Sequence, residues 1–330
     1  MMTTTALVLA AAAITAAAAA APVSTPPDAP IAARDMQRLL GKGFDVRWAE
    51  FDPDMATYSA QKPQMCRQRG FANARIRADA ELTNQTFAAH LDRVIADTLA
   101  AGLVAILAKK GDALKENPQS AAALSDYTSW WGAAAQRYAN VSHRLMFDLM
   151  VEPAKALGQD LDRLNYVYAQ AVAAIRPSNP TRILSLAPGH IASPEYFGKL
   201  QIPAAAFPYA MGEWHDFAAG PSPDAGKKQW TGNGTAAQRK AFRQVADTAV
   251  QWQSASGGAP TWFGAWMTSD FNHGNHYSVP EQVAFAQFIC DTMTQRGLPW
   301  SINTYSIFFG QGTAPVPSLE PVLNLLQACN

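Results

Sequence analysis

The stretch Phe87–Lys110, FAAHLDRVIADTLAAGLVAILAKK, holds one whole repeat of the fold. Its first part carries Phe87, Leu91, Val94 and Ile95 at three- and four-residue spacing, the period of an amphipathic helix. Gly102 then stops the helix. The run Leu103–Lys109 that follows is short, apolar and closed by lysines, so it reads as a strand. The same alternation continues on both sides. Strands are expected at Gly43–Arg47, Phe71–Arg77, Leu103–Lys109, Leu145–Val151, Arg182–Ala187, Tyr209–Trp214, Thr261–Met267 and Trp300–Thr304. Helical windows lie between them, among them 120–140, 160–175, 236–253, 279–297 and 319–328. Eight strands alternating with helices predict a closed parallel (β/α)8 TIM barrel, a single domain over residues 37–330. A doubly wound open sheet would show a glycine-rich turn after its first strand, and none is present.

Upstream of the barrel, residues 1–21 contain no charged side chain and end in small residues. This pattern predicts a signal peptide for bacterial-type export, with a membrane anchor as the alternative. Residues 22–36 read as a Pro/Ala-rich linker. The expected location is therefore secreted or periplasmic, with no stable membrane insertion after signal cleavage. Charge is balanced, 26 Lys+Arg against 26 Asp+Glu, which gives no general attraction to nucleic acid. Of the three cysteines, Cys290 and Cys329 fall in late helical segments, where they either pair or stay as buried thiols. No CxxC spacing is present, and the two histidines His273 and His276 near Asp270 are a weak metal pattern. No metal and no cofactor is expected, and the chain is expected to be a monomer.

Active sites of such barrels sit at the C-terminal ends of the strands. There the sequence is polar and aromatic: Asp45 to Glu50, Arg75 to Asp79, Lys109 to Asp112, Val151-Glu152, His190, Glu213 to Phe217, Ala265 to Asp270 and Asn303 to Tyr305. The aromatics Trp48, Trp214, Trp230, Trp266, Tyr277, Trp300, Tyr305 and Phe308 are expected at the mouth, where their ring faces can meet a ligand. Trp130-Trp131 are expected in the core.

In order along the chain, GKGFDVRWAE, GFANARIR, GLVAILAKK, LMFDLMVEP, GEWHDF, PTWFGAWM and GLPWSIN resemble the strands of glycoside hydrolase family 5, over roughly residues 37–325. The resemblance implies a retaining-glycosidase barrel. It puts Arg75 at the family arginine beside the nucleophile, Glu152 at the acid/base position, and His215 at the first residue of a His-x-Tyr pair. The departures are specific. Val151 stands where the family has the Asn that binds the sugar's 2-hydroxyl, Lys109-Lys110 where a His is usual, Phe217 in place of Tyr, and Asn303 near a usual sugar-stacking Trp. Ala265 occupies the nucleophile's place.

Glycoside hydrolysis needs two carboxyl groups flanking the bond. Glu152 is expected as general acid/base. Glu213, two residues before His215 and so on the same face of its strand, is the favoured relocated second carboxylate. Substrate contacts are expected from Arg75, Lys110, His190, His215, Trp266, Trp300 and Asn303. The function expected is hydrolysis of O-glycosidic bonds in a polysaccharide or oligosaccharide. Two alternatives stand beside it: a non-catalytic carbohydrate-binding barrel, and a lyase acting on an acidic polysaccharide, where cations offset carboxylate charge.

Overall fold

A computed structural model describes residues 28–50, 52–78, 80–217, 228–270 and 274–329. The strands are β1 (Lys42–Ala49), β2 (Asn73–Ala78), β3 (Val104–Lys109), β4 (Leu145–Asp148), β5 (Leu184–Leu186), β6 (Ala210–His215), β7 (Thr261–Trp266) and β8 (Trp300–Asn303). They pair in sequence order as a closed barrel. β1 meets β8 in parallel, with Lys42 opposite Trp300 and Asp45 opposite Asn303. Each expected strand is present, shortened where Met150, Val151 and Glu152 leave β4 for the mouth.

Local chemistry sets the helix ends. The Asn84 side chain accepts from the Phe87 N–H, and Ser278 with Glu281 forms a reciprocal capping box at the start of Val279–Arg296. That helix stops at Gly297, whose φ of 62° suits glycine.

Strand alternation divides the apolar residues into two cores. Phe44, Val46, Ile76, Leu107, Phe147, Trp214, Phe263 and Ile302 point outward and pack under the helices. Val104, Ile106, Met146, Ile183, Met211 and Trp262 point inward and fill the foot of the lumen. The helix Ala33–Leu40 closes that foot by inserting Met36 and Leu40, both without exposed surface. The stretch read as linker, 22–36, thus overlaps this helix from Ala33 onward. Its Pro/Ala-rich composition hid the Ala33, Met36, Leu40 spacing. Residues 1–21, where a signal peptide is expected, lie outside the described residues.

Cys290 and Cys329 are joined in a disulfide, and Cys66 is a buried free thiol. Among the described residues no helix is long and apolar enough to cross a membrane.

Candidate active site

Above its apolar foot the lumen becomes polar. Asn73 and Ser301 bond to each other, and the Trp262 indole N–H donates to Ser185 Oγ at 2.7 Å. One layer higher the side chains are ionic and without exposed surface: Asp45 from β1, Arg75 from β2, Asp148 from β4 and Glu213 from β6. The inward positions of four different strands bring these groups together, which only a closed barrel does.

Arg75 is the hub. Its Nε donates to Asp148 Oδ2 at 2.7 Å, and its Nη2 lies 2.5 Å from Asp148 Oδ2 and 2.6 Å from Glu213 Oε1. Asp45 stands 3.4 Å from Nη1 and is also gripped by Arg77, whose Nη2 donates to it at 2.6 Å. Arg77 reaches on to Asn303 Oδ1 at 3.1 Å. From Glu213 the chain of contacts continues upward. His215 Nε2 is 2.7 Å from Glu213 Oε1, and its Nδ1 is 3.1 Å from Glu152 Oε1. The imidazole therefore stands between two carboxylates, one on each nitrogen.

Both carboxylates call for a donor, so His215 is the doubly protonated cation. Burial alone would push its pKa down, but the charges and hydrogen bonds of Glu213 and Glu152 raise it to about 9. Glu152 is the member that meets solvent, with its side chain 36% exposed. Burial alone would raise its pKa; the His215 bond and the positive charges of His215, Arg77 and Arg75 outweigh it and hold Glu152 at about 2. Asp148 behaves oppositely. Burial, reinforced by the Glu213 charge, lifts it to about 8 despite Arg75. Glu213 is held down, Arg75 and His215 overcoming its burial.

Glu152 adopts φ of 49° and His190 φ of 52°, backbone values that cost a non-glycine residue about 1–2 kcal/mol. Neighbouring contacts hold them: the Ile191 N–H donates to the Pro153 carbonyl at 2.8 Å, clamping the loop after β5 against the turn that carries Glu152. The His190 ring stacks on Tyr196 at 3.7 Å between centroids. Lys110 reaches Glu50 at 2.8 Å at the mouth, whereas Lys109 turns outward over the Trp130 ring. Lys115 is buried, which lowers its pKa against the pull of Asp112 and Glu152.

The side of the mouth formed by β6 and β7 differs. Phe217, Ala265 and Met267 form a small buried apolar cluster backed by Ile307. A carboxylate is absent from the position where the family resemblance puts the nucleophile. Gly264 is bare because a Cβ there would lie 2.1 Å from Glu213 Oε1.

Several expectations need correction. Glu213 shares its face with His215 as expected, but it has no exposed surface and lies below the imidazole, so it does not meet a sugar. Trp266 points outward, with its ring against Phe263, Phe285 and Trp300, and Trp300 lies at the foot of β8 in the same layer. Neither faces the mouth. Trp48, Trp214, Trp230, Tyr277, Tyr305 and Phe308 are likewise core, as are the expected core residues Trp130 and Trp131. Arg75 is buried without exposed surface and acts from beneath. Glu152, His215, Lys110, His190 and Asn303 do lie at the C-terminal ends of their strands. His273 lies outside the described residues, and Asp270 is engaged by Asn275, whose backbone N–H donates to it at 2.7 Å. Sequence reasoning missed Tyr196 and the partnership of Arg77 with Asp45. Arg77 was legible through its parity with Arg75.

Residues 55–307 match the sequence pattern of the cellulase family, glycosyl hydrolase family 5. Over 304 residues the chain is 24% identical to Endoglucanase H of Acetivibrio thermocellus, a match covering 86% of this chain and 32% of that protein. The chain thus spans about a third of the length of the curated relative it matches. Among solved structures, the endoglucanase Cel5A of Thermotoga maritima superposes with a TM-score of 0.74 at 16% identity, covering 90% of this chain and all of that one. The cellulose synthase subunit Z of Clostridioides difficile gives 0.72 at 17% identity, covering 87% of this chain and 99% of that one. At these identities the structural likeness speaks to the fold.

Proposed function

Because this chain belongs to glycosyl hydrolase family 5, a family of glycosidases, we propose that it hydrolyses O-glycosidic bonds of a polysaccharide or oligosaccharide at the mouth of the barrel. Glu152 is the acid/base. The observation that carries this is the position of Glu152 after β4: partly exposed, backbone-constrained, and fixed by a buried imidazolium.

At rest Glu152 is ionised, ready to take a proton from water or to receive one from beneath. A sugar seated over it strips away its water, which raises the carboxyl's affinity for a proton and moves it toward the acid needed by the leaving oxygen. The second carboxylate is Glu213, used indirectly: it fixes and charges His215 and offers no oxygen to the anomeric carbon. With Ala265 in the apolar wall, water rather than a carboxylate of β7 is the attacking group. His190 with Tyr196 offers a flat surface for a ring, and Lys110 and Asn303 polar contacts. Export is proposed from residues 1–21, with support from the disulfide, a bond that persists in oxidising compartments.

A second reading is favoured by one observation, the apolar cluster around Ala265: a barrel that binds glycans without cleaving them. The test is mass analysis of products after incubation with neutral and uronate-rich glycans. Fragments carrying one added water support hydrolysis, and they disappear in Glu152→Gln. Fragments with an unsaturated end mean a lyase. Binding with no fragments overturns hydrolysis and leaves the binding barrel.

A further inference from the structure

We infer that the turn His190–Ala192 after β5 is a positioning element: it holds Glu152 in place, and a sugar ring seated on His190 tightens that hold. The second half rests on the glycosidase reading; the first does not.

Backbone conformation singles out this turn. Among the described residues every non-glycine with φ in the left-handed region lies in one of two neighbouring loops. Glu152 (49°) and Lys155 (54°) belong to the loop after β4, and His190 (52°), Ile191 (62°) and Ala192 (60°) to the loop after β5. With ψ of 51° and 45°, His190 and Ile191 sit in the left-handed helical well. Three such residues in a row are rare, because each Cβ crowds the carbonyl oxygen that follows it. Strain of this kind persists only where surrounding contacts over-determine it, and it gathers at sites of function.

The contacts that hold the turn join it to the segment carrying Glu152. The Ile191 N–H donates at 2.8 Å to the carbonyl of Pro153, the residue after Glu152. Two glycines let the backbones touch. A Cβ on Gly189 would lie 2.4 Å from the Gly158 carbonyl oxygen, and a Cβ on Gly158 would lie 2.4 Å from that of Pro153. The base of the turn is fixed as well: the Tyr168 hydroxyl donates to the Ala187 carbonyl at 2.8 Å, and Ala192 has no exposed surface. What the clamp secures is the 3.1 Å contact between Glu152 Oε1 and His215 Nδ1. His215 is itself fixed from below by Glu213, so loops forced apart would draw the carboxyl away from a stationary imidazolium.

The other end of the turn faces ligand. The His190 ring lies on Tyr196, 3.7 Å between centroids and 12° from parallel, and both residues are partly exposed. A sugar ring resting on this stack makes a contact that lasts only while the turn keeps its left-handed form. Its binding therefore favours the state in which Glu152 stands against His215, by no more than the free energy of that contact. Binding energy used to hold a catalytic group raises kcat as well as affinity. Substrates long enough to cover His190 are thus turned over faster than those that end before it. His190 sets that length preference, whereas Ile191, Gly158 and Gly189 touch no substrate and are positioning residues.

The experiment has two arms on the intact protein. The first follows the Glu152 carboxyl by carbon-13 magnetic resonance with labelled glutamate, its signal assigned by its loss in Glu152→Gln. In the parent this carboxyl, held at about 2, is expected to stay ionised at about pH 4. Gly158→Ala pushes against Pro153 and Gly189→Ala against Gly158, so each wedges the loops from a different side. In either variant, with its fold checked by dichroism, Glu152 is expected to titrate toward its ordinary 4.5. Ala192→Gly, which suits a left-handed backbone, is expected to keep the parent titration. A Glu152 that still titrates at about 2 in a folded wedge variant overturns the positioning role. The second arm compares kcat along a ladder of oligosaccharides cut from a glycan that the parent hydrolyses. A step of up to about 10-fold is expected at one added sugar, the rate equivalent of one aromatic contact, and His190→Ala is expected to flatten it. No step in the parent, a step that survives in His190→Ala, or one confined to KM overturns the part given to His190. Absence of any hydrolysis by the parent overturns the glycosidase reading and the second half with it, while the Glu152 titration still decides the first.

Discussion

The two sides of the barrel mouth are built on opposite principles. On β1, β2 and β4, and across to β6, the upper lumen is ionic: Asp45, Arg75, Arg77, Asp148, Glu213, His215 and Glu152 form one connected set. Facing it, Phe217, Ala265 and Met267 with Ile307 offer only carbon and sulfur. On the proposed function, the contrast separates the groups that would handle a proton from the wall where the family resemblance puts the nucleophile. The ionic set continues down into the buried layer, and the facing wall is packed with apolar side chains.

The charged side is tested most severely by Glu152→Gln. Hydrolysis is expected to fall by about 10²–10⁴-fold, the usual contribution of a positioned acid or base, with the far-ultraviolet dichroism unchanged. Retained activity would move the chemistry elsewhere. Next comes Arg75→Met, which leaves buried carboxylates without their hub. A loss of about 3–5 kcal/mol is expected in denaturant unfolding, and a loss below about 1 kcal/mol would mean that the set is not cooperative.

The pH dependence of stability sharpens the same contrast. His215 is raised above its usual 6.5, so its contribution is fully present below about pH 6.5 and lost as pH rises through about 9. That range corresponds to roughly 3 kcal/mol. Asp148 is an acid raised from 3.8 to about 8, so the folded state holds a proton that the unfolded chain releases, and stability again falls as pH rises toward 8. Glu152, lowered to about 2, acts at the other end: its contribution is present above 4.5 and lost as pH falls toward 2. The unfolding temperature is expected to decline steadily from pH 6.5 to 9, and a flat profile there would contradict a protonated His215.

The apolar side is broken by Ala265→Glu. A carboxyl forced among Phe217, Met267 and Ile307 is expected to cost roughly 1–3 kcal/mol, read as a lower unfolding midpoint. Combined with Phe217→Tyr, the new carboxylate gains a hydrogen-bond donor, and hydrolysis is expected to exceed that of the parent. No change in rate would mean that this wall lies away from the bond. The smallest effect is expected for His190→Ala, below about 1 kcal/mol in stability but visible as weaker glycan binding in titration calorimetry.

The fold was legible because period and punctuation agree: all eight strands follow from short apolar runs bounded by helical windows, and Gly102 and Gly297 mark two of the boundaries. Arg75, Glu152 and His215 were legible because strand ends in a barrel face one site. Depth was not. Parity puts Glu213 and His215 on one face but does not say which of them covers the other. Facing was misjudged for Trp266, because the register shift between Phe263 and Trp266 disturbs the alternation of β7, and for Trp300, which shares the outward face of β8 with Ile302 at the strand's foot. The foot helix was missed where composition resembled a linker.

The disulfide has a consequence for how the chain misbehaves rather than how it works. Cys290 and Cys329 lie 39 residues apart, and the loop they close contains β8, the strand that turns a curved sheet into a cylinder. Such a loop restrains the unfolded chain by about 4 kcal/mol in the entropic account. Were β8 to detach, β7 and β1 would become free edges, each offering unpaired N–H and C=O groups to a neighbouring molecule. A reducing medium would therefore show itself first as aggregation through these edges, with Arg75, Asp148, Glu213 and His215 of β2, β4 and β6 still in register inside the remaining sheet.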